Sequence, residues 1–560
     1  MHILPIICMF DKQFLNIVIR FSLLVKRVLV KRSMNNQLKA GIWMKKTKNQ
    51  QPIIQVPILN LTQIEQLTSV QNKSTNMFIS NDMVKGISLA HMDLFLASPC
   101  TKIIHIEDME QLDAILSRIT AKQKAKLTIV SANTQVLKAV FNSYASCRRV
   151  FYAKEHSWSA TALICLLNKL GIKTVLLQPE LALMLTHTLH KHALVVWSHG
   201  EEKEKMHKLF SANVDAMTLS LTNDSRKMFD EYLKLHILKR PVFVAHRGAP
   251  QLDIENTLPA FEKAVEYGAD VLETDIRETK DKQLILFHDP DIKRITSSKG
   301  LVSSFLLEEL KDLLPVVTLD TFLTRFRQSP QLLLIEIKER HTVTEVIKLV
   351  EKYSMEHRVH IQSFDPESLQ TVRSLNEEIG VSLLYSHNKW SKNRISHATV
   401  HQTLSQTQSS LNIKSTRSFH RTKNSFSKWG LHSFIWTIRR EKELYRLWSL
   451  GVSGLIIDCI QHLIKIPTHL EILDAPKFNQ NGDLVVPEKA YACYTNGSKK
   501  LVPVKWMMQE DTRLIELTST TKRLNSLNTF CIYQFSINGL KRSVISKMTI
   551  IEEKNNKRGA

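Results

Sequence analysis

Acidic residues are missing from 62 consecutive positions of this 560-residue chain, 379 to 440, where ten Lys or Arg stand. That stretch is the most concentrated source of a formal net charge of +23. A positive field of this kind draws in anions, which makes an anionic membrane surface or a polyanionic polymer a candidate partner. Nucleic acid is disfavoured, because neither a reader fold nor an interleaved aromatic platform accompanies the charge. Thiol motifs are also lacking. The seven cysteines, at 8, 100, 147, 165, 459, 493 and 531, are odd in number and contain no C-x-x-C, so neither a disulfide framework nor a zinc finger is indicated. Scattered thiols fit a reducing, cytoplasmic setting. Long apolar runs are absent as well. The runs Ile3 to Phe10, Phe14 to Ile19 and Phe21 to Val25 are broken by Asp11, Lys12, Arg20 and Lys26-Arg27. None reaches the ~18 uninterrupted apolar residues of a spanning helix. A secretory signal would carry its positive charges before the apolar core, and here they mostly follow it. Residues 1–50 read either as a membrane-surface helix giving peripheral attachment, or as sequence ahead of a true start at Met34.

The most informative segment that is present runs from Val242 to Arg294. It sets His246, Glu273, Asp275 and His288 at the ends of three short apolar runs, VFVAH, DVLETDI and QLILFH, with a helical pattern from Thr257 to Tyr267 ending at Gly268. That is a βαβ rhythm. In a parallel barrel the C-terminal strand ends converge on one face, so the four side chains would share one mouth.

These residues carry a resemblance. His246-Arg247-Gly248, Glu255-Asn256-Thr257, Glu273-Thr274-Asp275 and His288-Asp289 resemble the signature of the glycerophosphodiester phosphodiesterase family. Pro315 to Leu319, Ile335 to Lys338, Ser363 to Asp365, Trp436-Thr437 and Gly454 to Asp458 follow in the family's order, over roughly residues 241 to 465. The resemblance implies a (β/α)₈ barrel, products sn-glycerol 3-phosphate and a free alcohol, and a substrate contact from Trp436.

The residues themselves argue the chemistry. Glu273 and Asp275, at i and i+2 of one strand, point to the same face, and Glu336 ends another strand. Three hard oxygen ligands suit Mg²⁺ or Ca²⁺. Arg247 and Lys338 are the cations available to a phosphate, Arg247 with the better bidentate shape. His246 and His288 are suited to general base and general acid work near neutral pH, one to each role. The order of the two roles stays open, as does whether water or a substrate hydroxyl attacks first.

An internal repeat organises the first half. Ile104-His-Ile106 parallels Ile335-Glu-Ile337, Ser131 to Leu137 parallels Ser363 to Leu369, and Trp197 matches Trp436 within 195–218 and 434–456. Residues 51–238 are therefore expected to be a degenerate, incomplete barrel-like unit with His105 in the place of Glu336 and Glu107 in that of Lys338. It has no H-R-G, E-x-D or strand-ending H-D, and no catalysis is expected there. The catalytic barrel is placed at 239–474. Residues 475–560 read as a small β-rich module with a basic tail, from the Asn-Gly turns at 481–482, 496–497 and 538–539 and the alternation of Cys531, Tyr533, Phe535 and Ile537.

Strands ending near His246, Asp275, His288, Ile337, Ser363, Tyr385, Thr437 and Asp458 count eight, with Ser410 to Ile413 as a further candidate. The expected activity is metal-dependent hydrolysis of glycerophosphodiesters. A lysophospholipase D or phospholipase C-like activity on the same barrel, or a non-catalytic anion or membrane-surface binder, are the alternatives.

Overall fold

A computed structural model of the chain describes residues 53–57, 76–98, 101–120, 127–143, 147–200, 202–219, 224–386, 397–416, 432–479, 483–518, 521 and 526–552. The leader 1–50, the turn at 481–482 and Arg417, Arg421, Lys423 and Lys428 of the acid-free stretch lie outside the described residues. Among the described residues, no helix is long and apolar enough to cross a membrane.

Two parallel barrels follow one another. The first comprises β1 (Ile53–Pro57), β2 (Asn76–Ile79), β3 (Thr101–His105), β4 (Leu127–Ser131), β5 (Arg148–Ala153), β6 (Thr174–Leu177), β7 (Val195–His199) and β8 (Ala216–Thr218). Each pairs with the next in parallel, and β1 pairs with β8 to close the ring. The unit is barrel-like and degenerate, as its sequence indicates, but its expected incompleteness is corrected in one respect. The strand set is whole, and what is missing is the front of the site. Carrying the register of both barrels puts Pro57, Phe78, Ser80 and His105 in the places of His246, Glu273, Asp275 and Glu336. The same register sets Trp197 against Phe434 and His199 against Trp436, so the sequence match of the two tryptophans is two residues out of step. A slip of two keeps a side chain on the same face of a strand, which is why the pattern concealed it.

The second barrel comprises β9 (Val242–His246), β10 (Val271–Glu278), β12 (Leu332–Ile337), β13 (Val359–Ser363), β14 (Gly380–Tyr385), β15 (Ser410–Lys414), β16 (Ser433–Ile438) and β17 (Gly454–Ile457), with β9 joining β10 and β17. Two strand assignments change. Ser410–Lys414 is a stave of the barrel, whereas β11 (Leu284–Leu286), the run before His288, pairs antiparallel with the far end of β10. Only five residues, Thr279 to Gln283, join the two, far short of the dozen or so that a parallel crossover needs. Strand β10 overruns the rim, and the hairpin folds His288 back over the mouth, its carbonyl accepting from Arg277 Nε at 2.9 Å.

The barrels stand base to base. Groups near the N-terminal strand ends meet. Asp270, just ahead of β10, holds His187 of the first barrel at 2.9 Å and Arg240 of the linker at 2.9 Å. Asp215, ahead of β8, holds His190 at 2.9 Å and His432 of the second barrel at 2.8 Å. The C-terminal module joins both. Along the strand Ser526–Ile537, Cys531 and Tyr533 pack in the module's own core, Phe530 and Ile532 enter the first barrel's core and Ile537 the second's. The Asn538-Gly539 turn that ends it has both residues at positive φ, as a tight hairpin requires.

Candidate active site

The C-terminal ends of β9, β10 and β12 carry most of the site. After His246 the chain turns sharply through Arg247 (φ 55°) and Gly248 (φ 84°). A Cβ on Gly248 would stand 2.8 Å from the backbone carbon of Ala260, so the turn can pack on the helix Leu258–Glu266 only with glycine there. Thr257 caps that helix, its hydroxyl accepting from Ala260 N. The turn aims Arg247 inward. Its N–H donates to Glu273 Oε2 at 3.0 Å, its Nη1 donates to Glu255 at 3.0 Å, and its Nε lies 3.1 Å from Asp275 Oδ2.

Glu273, Asp275 and Glu336 are all buried, and one carboxylate oxygen from each lies within 4.8 Å of the others. Lys338 Nζ reaches both Glu336 Oε1 (2.6 Å) and Asp275 Oδ1 (2.9 Å). Burial, with Asp275 and Glu336 alongside, pushes the Glu273 carboxyl well above the ordinary range. Burial likewise pushes Glu336 up to about 7. Asp275 goes the other way: burial raises it, but Lys338 and Arg247 outweigh that and hold it well below the usual value. Three carboxyl groups against two cations cannot all ionise in a buried space without further positive charge, which is why Glu273 and Glu336 are pushed up, and Asp275 Oδ1 has no hydrogen-bond donor in line. That donor set fits a divalent cation with oxygen preference.

Each histidine is held at Nδ1 by a carboxylate, leaving Nε2 for the mouth. His246 Nδ1 lies 2.6 Å from Asp458 Oδ1, and His288 Nδ1 lies 2.6 Å from Asp289 Oδ1. Burial holds His288 below the ordinary imidazole value, against the pull of Asp275. Asp289 pairs in turn with Arg294, which Glu255 grips at 2.6 and 2.9 Å. Trp436 is half-buried at the end of β16, its Nε1 donating to the Asn412 carbonyl at 3.0 Å and Lys414 Nζ standing 5.7 Å over its ring. The structure thus brings together seven of the eight side chains singled out from sequence, and sets Trp436 on β16 of the same barrel.

Other members of the site were not singled out. Gln362 Nε2 donates to Glu273 Oε1 at 3.0 Å, and Asn412 Nδ2 donates to Gln362 Oε1 at 2.9 Å. Both are polar residues inside otherwise apolar strand sequences, VHIQS and SLNIK, a signal that period-two reading could have used. Glu255, Asp289 and Asp458 stand in the quoted motifs without an assigned role, and with Arg294 they act on the catalytic candidates through side-chain contacts that spacing alone does not disclose.

The second barrel is also similar to known proteins. Residues 246–462 match the model of the glycerophosphoryl diester phosphodiesterase family. YhdW of Bacillus subtilis (strain 168), which bears the family name, is 32% identical over 247 residues, 41% of this chain and 99% of the relative. The glycerophosphodiester phosphodiesterase of Caldanaerobacter subterraneus subsp. tengcongensis is 30% identical over 247 residues, 40% of this chain and 98% of the relative. A crystal structure of the Thermotoga maritima glycerophosphodiester phosphodiesterase is 26% identical, with a TM-score of 0.35 and coverage of 40% of this chain and 98% of that one. On its residues and its full-length relatives alike, the chain belongs to the glycerophosphodiester phosphodiesterase family.

Proposed function

We propose that the second barrel hydrolyses glycerophosphodiesters to an alcohol and sn-glycerol 3-phosphate. The observation that carries this reading is the pairing of two carboxylate-held histidines with a buried cluster of three carboxylates at one barrel mouth. Displacement at a phosphodiester needs a proton removed from the attacking oxygen and a proton given to the departing one. His246 and His288 supply those two functions through Nε2. Asp458 and Asp289 fix each ring by its Nδ1–H and stabilise the imidazolium when it forms. Arg247 and Lys338 bring positive charge to the phosphoryl oxygens, where negative charge builds in the transition state. A divalent cation, Mg²⁺ or Ca²⁺, would be held by Glu273, Asp275 and Glu336 and would add Lewis-acid charge at the same oxygens. Trp436, with Lys414 over its ring, offers an apolar wall to the glycerol or alcohol side of the substrate.

A panel of glycerophosphodiesters tests the reading. Release of sn-glycerol 3-phosphate by the full chain is expected. Turnover giving only a phosphorylated alcohol and free glycerol, or no turnover of any member with Mg²⁺ and Ca²⁺ supplied, would overturn it.

A further inference from the structure

The strand His469–Glu471 leaves the catalytic barrel after β17, yet it pairs antiparallel with Lys489–Cys493 of the C-terminal module, whose other neighbour is Lys499–Pro503. The register sets His469 opposite Cys493 and Leu470 opposite Ala492. Leu470, Ala490 and Ala492 enter the module's core. His469, Glu471 and Cys493 therefore share the other face, because side chains alternate along each strand and opposed residues point the same way. The three are dispersed in sequence, and only the strand pairing brings them together.

One ligand atom from each, an imidazole nitrogen, a carboxylate oxygen and the thiol sulfur, lies within 4.8 Å of the other two. His469 Nε2 stands 4.0 Å from Glu471 Oε1, too far for a hydrogen bond. Neighbours hold both groups by their other atoms. Thr468 Oγ1, which donates to the Cys493 carbonyl at 3.1 Å, also lies 3.1 Å from His469 Nδ1, and Lys499 Nζ donates to Glu471 Oε2 at 2.5 Å. That leaves Nε2 and Oε1 uncommitted. The His469 and Glu471 side chains are 57% and 45% exposed, so the trio opens to solvent, while Cys493 beneath them is 3% exposed. Cys493 Sγ lies 4.0 Å from the Tyr491 carbonyl, at the limit for a sulfur hydrogen bond. Burial, with the Glu471 carboxylate beside it, holds the Cys493 thiol above its ordinary value, so the proton stays on sulfur until a cation displaces it.

Imidazole, carboxylate and thiolate together select a borderline-soft ion: zinc takes all three, whereas Mg²⁺ and Ca²⁺ prefer oxygen. Ligand atoms around a tetrahedral zinc stand ~3.3–3.6 Å apart, so the trio needs to close by only ~1 Å, a movement that the exposed side chains can supply by rotation. Among the described residues Cys493 is the only cysteine in a cluster of this kind, and the active-site trio contains none. We propose that His469 Nε2, Glu471 Oε1 and Cys493 Sγ bind one divalent cation of the zinc class, with the fourth position open to water. The thiol gives its proton to solvent as the metal–sulfur bond forms. Thiolate and carboxylate balance the charge of the ion, and Lys499 keeps the outer oxygen of Glu471. The hairpin that carries Cys493 is seated on the catalytic barrel: Thr495 Oγ1 donates to the Tyr267 carbonyl at 3.1 Å, and a side chain at Gly268 would overlap the Thr495 carbonyl. The ion thus ties the segment leaving the barrel to a hairpin docked on that same barrel.

Cobalt(II) is the probe, since it occupies zinc sites and gives a thiolate-to-metal charge-transfer band in the near ultraviolet. The metal-stripped, reduced full chain should develop that band on titration with Co²⁺, and Zn²⁺ should then bleach it. Cobalt bound at the active site is silent in this band, because Glu273, Asp275 and Glu336 offer no sulfur. Cys493→Ser should abolish the band. His469→Ala, at an exposed position, should weaken cobalt binding by ~10-fold or more, and it carries the test if Cys493→Ser does not fold. Absence of the band in the wild type, a band of undiminished strength in folded Cys493→Ser, or unchanged cobalt affinity in His469→Ala would overturn the proposal.

Discussion

Asp458 Oδ1 stands 2.6 Å from His246 Nδ1 across a sequence separation of 212 residues. Arg439 Nε reaches the other oxygen of Asp458 at 3.2 Å, so the carboxylate is held on both sides. The contact joins the last stave of the barrel to the first and fixes the tautomer of a ring whose free nitrogen faces the mouth. Asp289 and His288 repeat the arrangement between adjacent residues. Two imidazoles are thus held in the same way at one rim, as the proposed acid and base roles require.

Replacing His246 or His288 with Ala should lower kcat by ~10²-fold or more with the fold intact by circular dichroism. The double variant should be little worse than either single one, since groups that act as a unit are not additive. Asp458→Asn should also cost ~10²-fold in kcat, because an amide can keep the spacing while supporting the wrong tautomer. Near wild-type turnover in His246→Ala would make that residue structural.

Chelation should abolish turnover, and added Mg²⁺ or Ca²⁺ should restore it. Glu336→Gln should weaken the restoring ion's affinity by ~10-fold or more, read from activity against metal concentration. Full activity after exhaustive dialysis against EDTA, with no metal found by elemental analysis, would remove the cation from the mechanism.

His105→Ala should leave kcat and KM unchanged. His105 Nε2 pairs with Glu107 at 2.6 Å, and Glu107 also takes Lys154 at 2.8 Å and the Ser131 hydroxyl at 3.0 Å, a closed polar knot rather than an open site. A large fall in kcat, with folded protein recovered, would show that the first barrel contributes chemistry.

Stability should fall in mild acid because of buried histidines. Burial lowers His190 and His207 to about 4, from an ordinary value of 6.5. The unfolded chain therefore binds their protons first. Their contribution is fully present above pH 6.5, is lost as pH falls from 6.5 through about 4, and levels off below that. Each histidine contributes at most ~3 kcal/mol in this way. Tm measured from pH 7.5 to 4 should drop, and His207→Gln should flatten the slope. His207 bonds Tyr232 Oη at 3.1 Å and the Ser546 carbonyl at 3.0 Å, so the variant's Tm at pH 7.5 also reads how firmly the C-terminal module is attached. An unchanged slope would place the acid sensitivity elsewhere.

The chain by itself determined the barrel that carries chemistry and the residues at its mouth. Each of those signals is local: E-x-D on one strand fixes two side chains to one face by the strand period, and H-R-G needs only a turn that glycine permits. The repeat was legible for the same reason, since strand-ending segments such as Ile104 to Ile106 and Ile335 to Ile337 keep their alternation even where His105 stands in the place of Glu336. Tertiary structure alone decided what alternation cannot encode. The short run before His288 looked like a stave, and only the five-residue link to β10 and its antiparallel pairing made it a hairpin. The two-residue slip between Trp197 and Trp436 was invisible because it preserves the face. The closure of the first barrel, the base-to-base contact through Asp215 and Asp270, and the grip of Asp458 on His246 all depend on which distant elements meet. Those contacts are set by packing over the whole molecule rather than by any stretch of residues.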